Sequence, residues 1–289
     1  MHKTIVKGIL SNGNGMNIYR GCTHGCIYCD ARSRCYQMNH QFEDIEVKEN
    51  APILLEQALR KKRKKCMIGT GAMSDPYIPL ETQLKLTRQC LTIIRDYGFG
   101  LAIQTKSSRI LRDLDLLKEI NQNAKCVVQM TLTTYEEELC KKLEPNVSTT
   151  KERFETLQVL KENNIPTVVW LDPILPGIND TKENIEGILE YCIQAKVYGI
   201  ICFSMGLTLR EGNREYFYYK LDQLFPGKRA WYEAKYGYHY EVNSDHNKEL
   251  MDLFYRRCKE HGIVSDTSKV FDYLREFPKE DGQLSLFDL

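Results

Sequence analysis

The sequence predicts an α/β protein built as a partial (β/α)6 barrel with a helical extension at its C-terminal end. Two observations lead to this prediction. Short, continuous apolar segments alternate with longer amphipathic ones, and the units repeat about every thirty residues, as right-handed βαβ crossovers do. Six units are found instead of the eight of a closed barrel, which indicates a barrel that is open on one side.

The six strands are predicted where apolar residues run without a polar break, as in strands covered on both faces. They are residues 16–19, 66–69, 100–105, 125–132, 166–171 and 199–204. The helices are predicted between them at residues 51–64, 80–97, 108–121, 149–163 and 181–196. Pro79 precedes the second helix, Gly98 follows it, and Thr181 is a suitable N-cap for the last.

The chain changes in character after residue 207, where tyrosines and basic residues become frequent. We therefore divide it into a barrel with an N-terminal cysteine loop (1–207), an aromatic-rich helical extension (208–277) and a tail (278–289). Two further helices are expected at residues 244–261 and 267–277. The tyrosines of residues 210–240 could stack on an unpaired base, or they could pack against the barrel.

Composition and charge narrow the class of protein. Hydrophobic residues make up 42% of the 289 residues, and 40 basic residues nearly balance 39 acidic ones, so no whole-protein field attracts nucleic acid or an anionic membrane. No segment is apolar for long enough to cross a bilayer, and no signal peptide is recognised, so we expect a cytoplasmic protein without a membrane partner. The eleven cysteines lie mostly alone in apolar segments, which argues against a disulfide framework.

Three cysteines lie close together in GCTHGCIYCD, residues 21–30, with the spacing CxxxCxxC: Cys22, Cys26 and Cys29. A zinc site would need a fourth ligand, which His24 or Cys35 could supply. A haem attachment would need histidine after the CxxC pair, but Asp30 stands there. Three thiols on one loop can also ligate three irons of a 4Fe-4S cluster and leave the fourth iron open for chemistry.

This loop resembles that of the radical S-adenosylmethionine (radical SAM) superfamily, in which an aromatic residue, here Tyr28, precedes the last cysteine. The resemblance implies a 4Fe-4S cluster held by the three cysteines and S-adenosylmethionine (SAM) bound at the open iron. It also implies an external electron donor and reductive cleavage of SAM to a 5′-deoxyadenosyl radical.

Further motifs resemble the spore photoproduct lyase branch of that superfamily. They are GTGAMSDPY (69–77), QTKS (104–107), QMTLTT (129–134), LEPN with KERFETL (143–157) and DPILPGIND (172–180). The resemblance implies that Ser74, Lys106 and Thr131, together with the backbone of Tyr28, bind SAM. In the lyase a hydrogen-donating cysteine stands two residues before the serine, and Ala72 occupies that place here.

The resemblance implies a substrate that is DNA or a nucleotide, in a lyase-like repair or modification reaction. Because of Ala72, the catalytic residues and the hydrogen donor are not assigned, although Cys35 and Cys202 are candidate donors. Two alternatives stay open. One is radical SAM modification of RNA, a peptide or a small molecule, and the other is a non-catalytic zinc or iron-sulfur adaptor.

The sequence ends in a polar segment with an apolar tip. Its residues Gln283, Leu284, Ser285, Leu286 and Phe287 resemble the peptide by which bacterial proteins bind the replication sliding clamp. We therefore predict the sliding clamp as a possible partner, which would bring the protein to DNA.

Overall fold

The computed structural model describes residues 1–278, which contain eleven strands and eleven α-helices. The strands are β1 (His2–Thr4), β2 (Gly15–Met16), β3 (Tyr19–Arg20), β4 (Glu46–Lys48), β5 (Met67–Thr70), β6 (Gly100–Thr105), β7 (Cys126–Thr131), β8 (Thr167–Trp170), β9 (Gly199–Ile201), β10 (Gly206–Thr208) and β11 (Glu241–Asn243). The helices are α1 (Ala51–Lys61), α2 (Glu81–Leu84), α3 (Leu86–Asp96), α4 (Leu114–Asn123), α5 (Glu137–Leu143), α6 (Thr150–Glu162), α7 (Lys182–Gln194), α8 (Asn213–Leu224), α9 (Lys228–Tyr236), α10 (Asn247–Glu260) and α11 (Thr267–Arg275).

The central sheet has six parallel strands in the order β2-β5-β6-β7-β8-β9. Each strand therefore lies beside the next strand of the series along the chain, as repeated βαβ crossovers require. This confirms the predicted α/β class and the six-unit sheet. Because all six strands are parallel, the loops that follow their carboxyl ends gather at one edge of the sheet.

The outer face of the sheet packs on the crossover helices. Side chains alternate between the two faces of a strand, so every second residue points to the helices. The outer residues of β6, β7 and β8 are Leu101, Ile103, Val128, Met130 and Val169, and they share one core with helix residues such as Leu91, Leu117, Leu157 and Ile188. This layer is fully buried, which explains the unbroken apolar runs in the sequence.

The inner face of the sheet is covered by α11. Strand residues Val127 and Val168 form a separate core with Val270 and Leu274 of that helix. The chain reaches this position through a parallel bridge between Gly199 and Val264 at the edge of β9. A Cβ atom on Gly199 would lie 2.7 Å from Val270 Cγ2, so glycine lets α11 approach the sheet. The C-terminal helix thus packs against the inner face of the sheet.

Two predicted elements are divided in the structure. The strand expected at residues 16–19 enters the central sheet only at Gly15–Met16, and Tyr19 pairs instead with Val47 of β4. The helix expected at residues 80–97 is interrupted at Lys85, which has φ +53°. The buried carboxylate of Glu81 explains the interruption, because it accepts a hydrogen bond from the Thr87 amide (3.1 Å) and so begins α3 there.

The sequence analysis did not predict several short elements. They are the three-stranded sheet β1-β4-β3, the helix α5 and the antiparallel pair β10-β11. The division at residues 207 and 277 stays a prediction. Residues 279–289, with the clamp-like peptide, lie outside the described part of the chain.

Candidate active site

A cavity of about 620 Å³ opens at the edge of the sheet where the strands end. Its walls come from the cysteine loop, from the loops after β5 to β9, and from β10 and β11. All seven residues that the sequence predicts for the site line it: Cys22, Cys26, Tyr28, Cys29, Ser74, Lys106 and Thr131. Ala72 also lines the cavity, two residues from Ser74. The structure therefore brings together residues from four separate parts of the chain.

The cysteine loop is held by its backbone. The Cys22 amide donates to Phe42 O (3.1 Å), and the Ile27 amide donates to Leu143 O (3.0 Å). Gly21 has φ +87°, and a Cβ there would lie 2.4 Å from Phe42 O, so only glycine fits at the start of the loop. The loop is thus anchored to two neighbouring segments, and the Cys29 amide also donates to Cys26 O (3.3 Å) within it.

The spacing of the three thiols bears on whether they bind an iron-sulfur cluster or a single zinc ion. Tetrahedral zinc with Zn–S bonds of about 2.3 Å would bring its sulfurs within about 3.8 Å of one another. Among residues 1–278, the group whose ligand atoms all lie within 4.8 Å is His2, His40 and Asp44, not the three cysteines. At least one pair of the three sulfurs is thus more than 4.8 Å apart, which is wider than the spacing around one zinc ion and compatible with a cluster of several irons.

Burial raises the pKa of the thiols. It raises the pKa of Cys22 to about 12 and that of Cys26 well above its ordinary value. A metal bound here must therefore displace the thiol protons, since the thiolate is the ligand. Cys35, the other cysteine close to the loop in sequence, is exposed and is not among the residues that line the cavity.

Asp75 joins the loop after β5 to the loop after β6. Its Oδ1 accepts from the Tyr77 amide and from Thr105 Oγ1 (both 2.8 Å), and its Oδ2 accepts from the Lys106 amide (2.7 Å). Ser74 Oγ donates to Gly21 O (2.6 Å) and so ties the same loop to the cysteines. The sequence analysis missed Asp75, although it lies within the Ser-Asp pair of the quoted motif.

A buried ion pair supports the floor of the site. The Arg153 guanidinium binds the Glu144 carboxylate, which also accepts the hydroxyl hydrogen of Tyr28. Arg153 Nη1 donates to Thr131 O (2.9 Å), and its Nε donates to Ser148 O (2.7 Å). Both side chains of the pair are enclosed, with 0% and 1% of their surfaces exposed. This pair therefore fixes two predicted cofactor residues, Tyr28 and Thr131, at once.

Electrostatics keep the pair and the nearby lysine charged. Burial raises the pKa of the Glu144 carboxyl, but Arg153 and Lys106 outweigh burial and hold that pKa below its ordinary value. Burial lowers the pKa of Lys106, whereas Cys26 and Glu144 raise it, and the net shift is upward. Lys106 is therefore a cation whose Nζ lies 5.6 Å from the centre of the Tyr28 ring.

The far side of the cavity carries different chemistry. Trp170, the last residue of β8, lines it together with Asp172, which follows β8, and Phe203, which follows β9. Burial raises the pKa of the Asp172 carboxyl to about 7, Asp30 raises it further, and Lys106 partly opposes the shift. The sequence analysis quoted the motif that contains Asp172 but assigned it no role.

Other predicted features fall outside the cavity. Cys202 is buried in the main core, with its Sγ 3.7 Å from Met251 Sδ, so it is badly placed to donate hydrogen to a substrate. Of the tyrosines in residues 210–240, Tyr218 is buried in the core beneath the cysteine loop, as the packing interpretation expected. Tyr238 is 93% exposed, and Tyr240 lines the cavity.

We expect the substitution Asp172→Asn to stabilise the protein more at pH 8 than at pH 5. The folded-state pKa is raised, so the ionised carboxylate opposes folding, and this cost grows as the pH rises from about 4 to about 7. Asparagine removes a cost that differs by on the order of 2 kcal/mol between the two pH values. Thermal unfolding of the cluster-containing protein without SAM would measure the difference. The exposed Asp252→Asn variant is the control, and equal shifts at both pH values would contradict the expectation.

An α/β sheet whose strand ends bring three separated thiols, a half-buried lysine and two hydroxyls into one cavity defines the class of iron-sulfur enzymes that bind SAM. The family model described as the Radical SAM superfamily matches residues 16–192, and the chain belongs to that superfamily. Its members use a 4Fe-4S cluster and SAM, which are therefore the cofactors of this protein. The spacing of the thiols and the cationic Lys106 fit these two groups.

Named relatives include proteins from archaea and bacteria. The uncharacterized protein MJ0683 of Methanocaldococcus jannaschii is 34% identical over 214 residues, which are 73% of this chain and 76% of that protein. The uncharacterized protein Rv2578c of Mycobacterium tuberculosis is 28% identical over 234 residues, 76% of this chain and 66% of that protein. A protein of Pseudomonas phage M6 named radical SAM Nalpha-GlyT isomerase is 25% identical over 171 residues, 58% of this chain and 34% of that protein.

The fold is also similar to a solved enzyme structure. Spore photoproduct lyase in complex with dinucleoside spore photoproduct superimposes with a TM-score of 0.63 and 15% identity over 91% of this chain and 80% of the lyase. This likeness confirms the predicted fold. In residues 1–278, no helix combines the length and apolar character that a membrane crossing requires.

Proposed function

We propose that this protein is a radical SAM enzyme that acts on DNA or a nucleotide, in a repair or modification reaction related to that of spore photoproduct lyase. The observation that supports it most is one cavity that is lined by three thiols, a half-buried cation, and aromatic and carboxylate side chains. When bound, the cluster supplies one electron, received from an external donor, that cleaves SAM to methionine and a hydrogen-abstracting 5′-deoxyadenosyl radical.

The residues of the cavity have separate roles in this proposal. Cys22, Cys26 and Cys29 hold the cluster. Lys106 binds the carboxylate of the methionine part of SAM, because a desolvated ammonium pairs strongly with a carboxylate.

Ser74, Thr131 and the Tyr28 backbone would complete the cofactor site. Asp75 and the Glu144–Arg153 pair keep these groups in place, through the contacts to Lys106 N, the Tyr28 hydroxyl and Thr131 O. The chain thus orients the cofactor through fixed side chains and main-chain groups.

A nucleic-acid substrate is favoured over the alternatives by one fact about a similar protein and one about the cavity. The lyase with the similar fold was solved with a dinucleoside. The far side of the cavity offers flat aromatic surfaces, on which bases of any sequence can stack. The zinc adaptor is disfavoured because the thiols are too far apart for one ion.

Isotope transfer from candidate substrates would test the proposal. We expect the anaerobic, dithionite-reduced enzyme to cleave SAM and to form deuterated 5′-deoxyadenosine when it is given deuterated single-stranded or duplex DNA. Unlabelled DNA is the control. Deuterium that enters only from labelled RNA or a labelled peptide would instead support the alternative substrates, and bound zinc with no deoxyadenosine would support the adaptor.

Two further parts of the proposal depend on the sequence. Recruitment to the sliding clamp through residues 283–287 stays a prediction, because those residues lie outside the described range. A cytoplasmic location also stays a prediction.

A further inference from the structure

The half of the cavity that faces away from the cysteines has aromatic walls. Phe203 lines the cavity and is 57% exposed, although it is a large apolar side chain. Its ring centre lies 6.2 Å from that of Trp170 and 6.4 Å from that of Phe271, and the Trp170 and Phe271 centres are 5.9 Å apart. Trp170 is fixed by a hydrogen bond from its Nε1 to Gln129 Oε1 (2.9 Å). Phe203 therefore presents a ring that is supported from behind and open in front.

The same half of the cavity is acidic. Asp172 and Glu241 line it, and neither carboxylate has a hydrogen-bond partner among residues 1–278. Lys106 is the one lysine or arginine among the described residues that line the cavity, and its charge acts both on Cys26 and on Asp172. The nearest further cation, Arg210, already donates to Asp30 Oδ2 (3.0 Å) and to Tyr240 Oη (2.7 Å).

These charges decide which part of a nucleic acid can enter. A phosphodiester placed beside Asp172 and Glu241 would meet two acidic side chains, and Lys106, the one cation that lines the cavity, is assigned to the carboxylate of SAM in the proposed function. A nucleobase carries no charge, offers a flat face for an aromatic ring, and presents N–H donors to an unpaired carboxylate. The cavity therefore fits a base and excludes the backbone.

We infer that this half of the cavity is a subsite for one unpaired nucleobase, which stacks on Phe203 and donates hydrogen bonds from its edge to Asp172. The inference rests on the proposed function and adds the part of the substrate that enters the cavity. Guanine suits the site best, because its N1–H and N2–H donors lie side by side and match the two oxygens of a carboxylate. The sugar and phosphates would stay outside, so a base in duplex DNA would have to be unstacked first.

Binding of short strands that carry a single base would test this subsite. The probes are fluorescein-labelled nine-residue strands of abasic spacers, with either guanine, cytosine, adenine or thymine at the centre, or no base at all. Anisotropy of these probes with the cofactor-loaded protein gives a Kd for each. We expect the guanine strand to bind at least about tenfold more tightly than the abasic strand, since one stacked base contributes about 1–3 kcal/mol.

Two variants separate stacking from hydrogen bonding. Phe203→Ala should weaken binding of all four base-bearing strands about tenfold and leave the abasic strand unchanged. Asp172→Asn should reduce the preference for guanine over adenine, because asparagine offers one acceptor oxygen in place of two. Tyr255→Ala is the control, since Tyr255 is 47% exposed on α10, away from the cavity.

The outcomes distinguish this inference from the proposed function. If the wild-type enzyme forms deoxyadenosine but binds the abasic strand as tightly as the guanine strand, the subsite is overturned while the radical chemistry stands. The same holds if Phe203→Ala weakens both kinds of strand equally. If the wild-type enzyme forms no deoxyadenosine, the proposed function itself fails. Circular dichroism and the visible absorbance of the cluster confirm that each variant is folded and loaded.

Discussion

Replacement of Cys26 by alanine is expected to remove the 4Fe-4S cluster and to lower 5′-deoxyadenosine formation by at least about a hundredfold, to the background of the assay. Cys26 belongs to the cysteine loop and is buried in a core that also contains residues of α8 and α9. No other thiol among residues 1–278 can take its place, because the remaining cysteines that line the cavity are the other two proposed ligands. Iron and sulfide analysis after anaerobic reconstitution, followed by the deoxyadenosine assay, would measure both effects.

Cys35→Ala is the matched control for this experiment. Cys35 is exposed, it lies six residues after Cys29, and it was one of the two possible fourth ligands of a zinc site. We expect this variant to keep its iron, its sulfide and its activity. Loss of the metal from the Cys35 variant, or full activity of the Cys26 variant, would contradict the assignment of the three ligands.

Replacement of Arg153 by methionine is expected to destabilise the protein by about 3–5 kcal/mol, because it leaves the enclosed Glu144 carboxylate without its partner. The fall in Tm should be on the order of 10 °C for a chain of this size. The variant should also bind SAM more weakly, since Tyr28 and Thr131 lose part of their support. Thermal unfolding and SAM titration would measure the two effects.

Two comparisons make this prediction specific. The surface residue Arg229 forms ion pairs with Asp222 and Glu233 (both 2.9 Å), and Arg229→Met should lower the Tm far less than Arg153→Met, because solvent screens the exposed pairs. The double variant Glu144→Leu/Arg153→Met should be more stable than Arg153→Met alone, because it removes the unpaired buried charge. A fall in Tm no larger than that of the surface variant would show that the buried pair does not support the site.

The sequence predicted the central sheet well because its signal is local. Strands such as Gly100–Thr105 are continuous apolar runs, and the alternation with helices requires parallel pairing. Elements that depend on contacts with residues distant in the sequence were not predicted correctly. Tyr19 leaves the predicted first strand because Val47 offers an antiparallel partner, and the helix predicted at 80–97 divides because Glu81 turns inward.

The candidate site shows the same difference between local signals, which could be predicted, and distant contacts, which could not. The residues that were predicted belong to motifs that resemble a known family, so their chemistry could be recognised one position at a time. The residues that were missed act through partners elsewhere in the chain. The hydroxyl of Tyr28 meets Glu144 across 116 positions of sequence, and the carboxylate of Asp75 meets the Lys106 amide across 31. No local sequence pattern predicts such long-range contacts, because each contact depends on how the loops after different strands come together.

The position of α11 has a consequence for the nascent chain while the protein is being synthesised. The inner surface of the sheet, with residues such as Val127 and Val168, is covered by the last helix of the described chain. During synthesis from the N-terminus, every strand of that sheet leaves the ribosome before its cover does. The nascent chain therefore carries an apolar surface until α11 emerges, and a ribosome that stalls after β9 would release a species prone to aggregate or to need a chaperone.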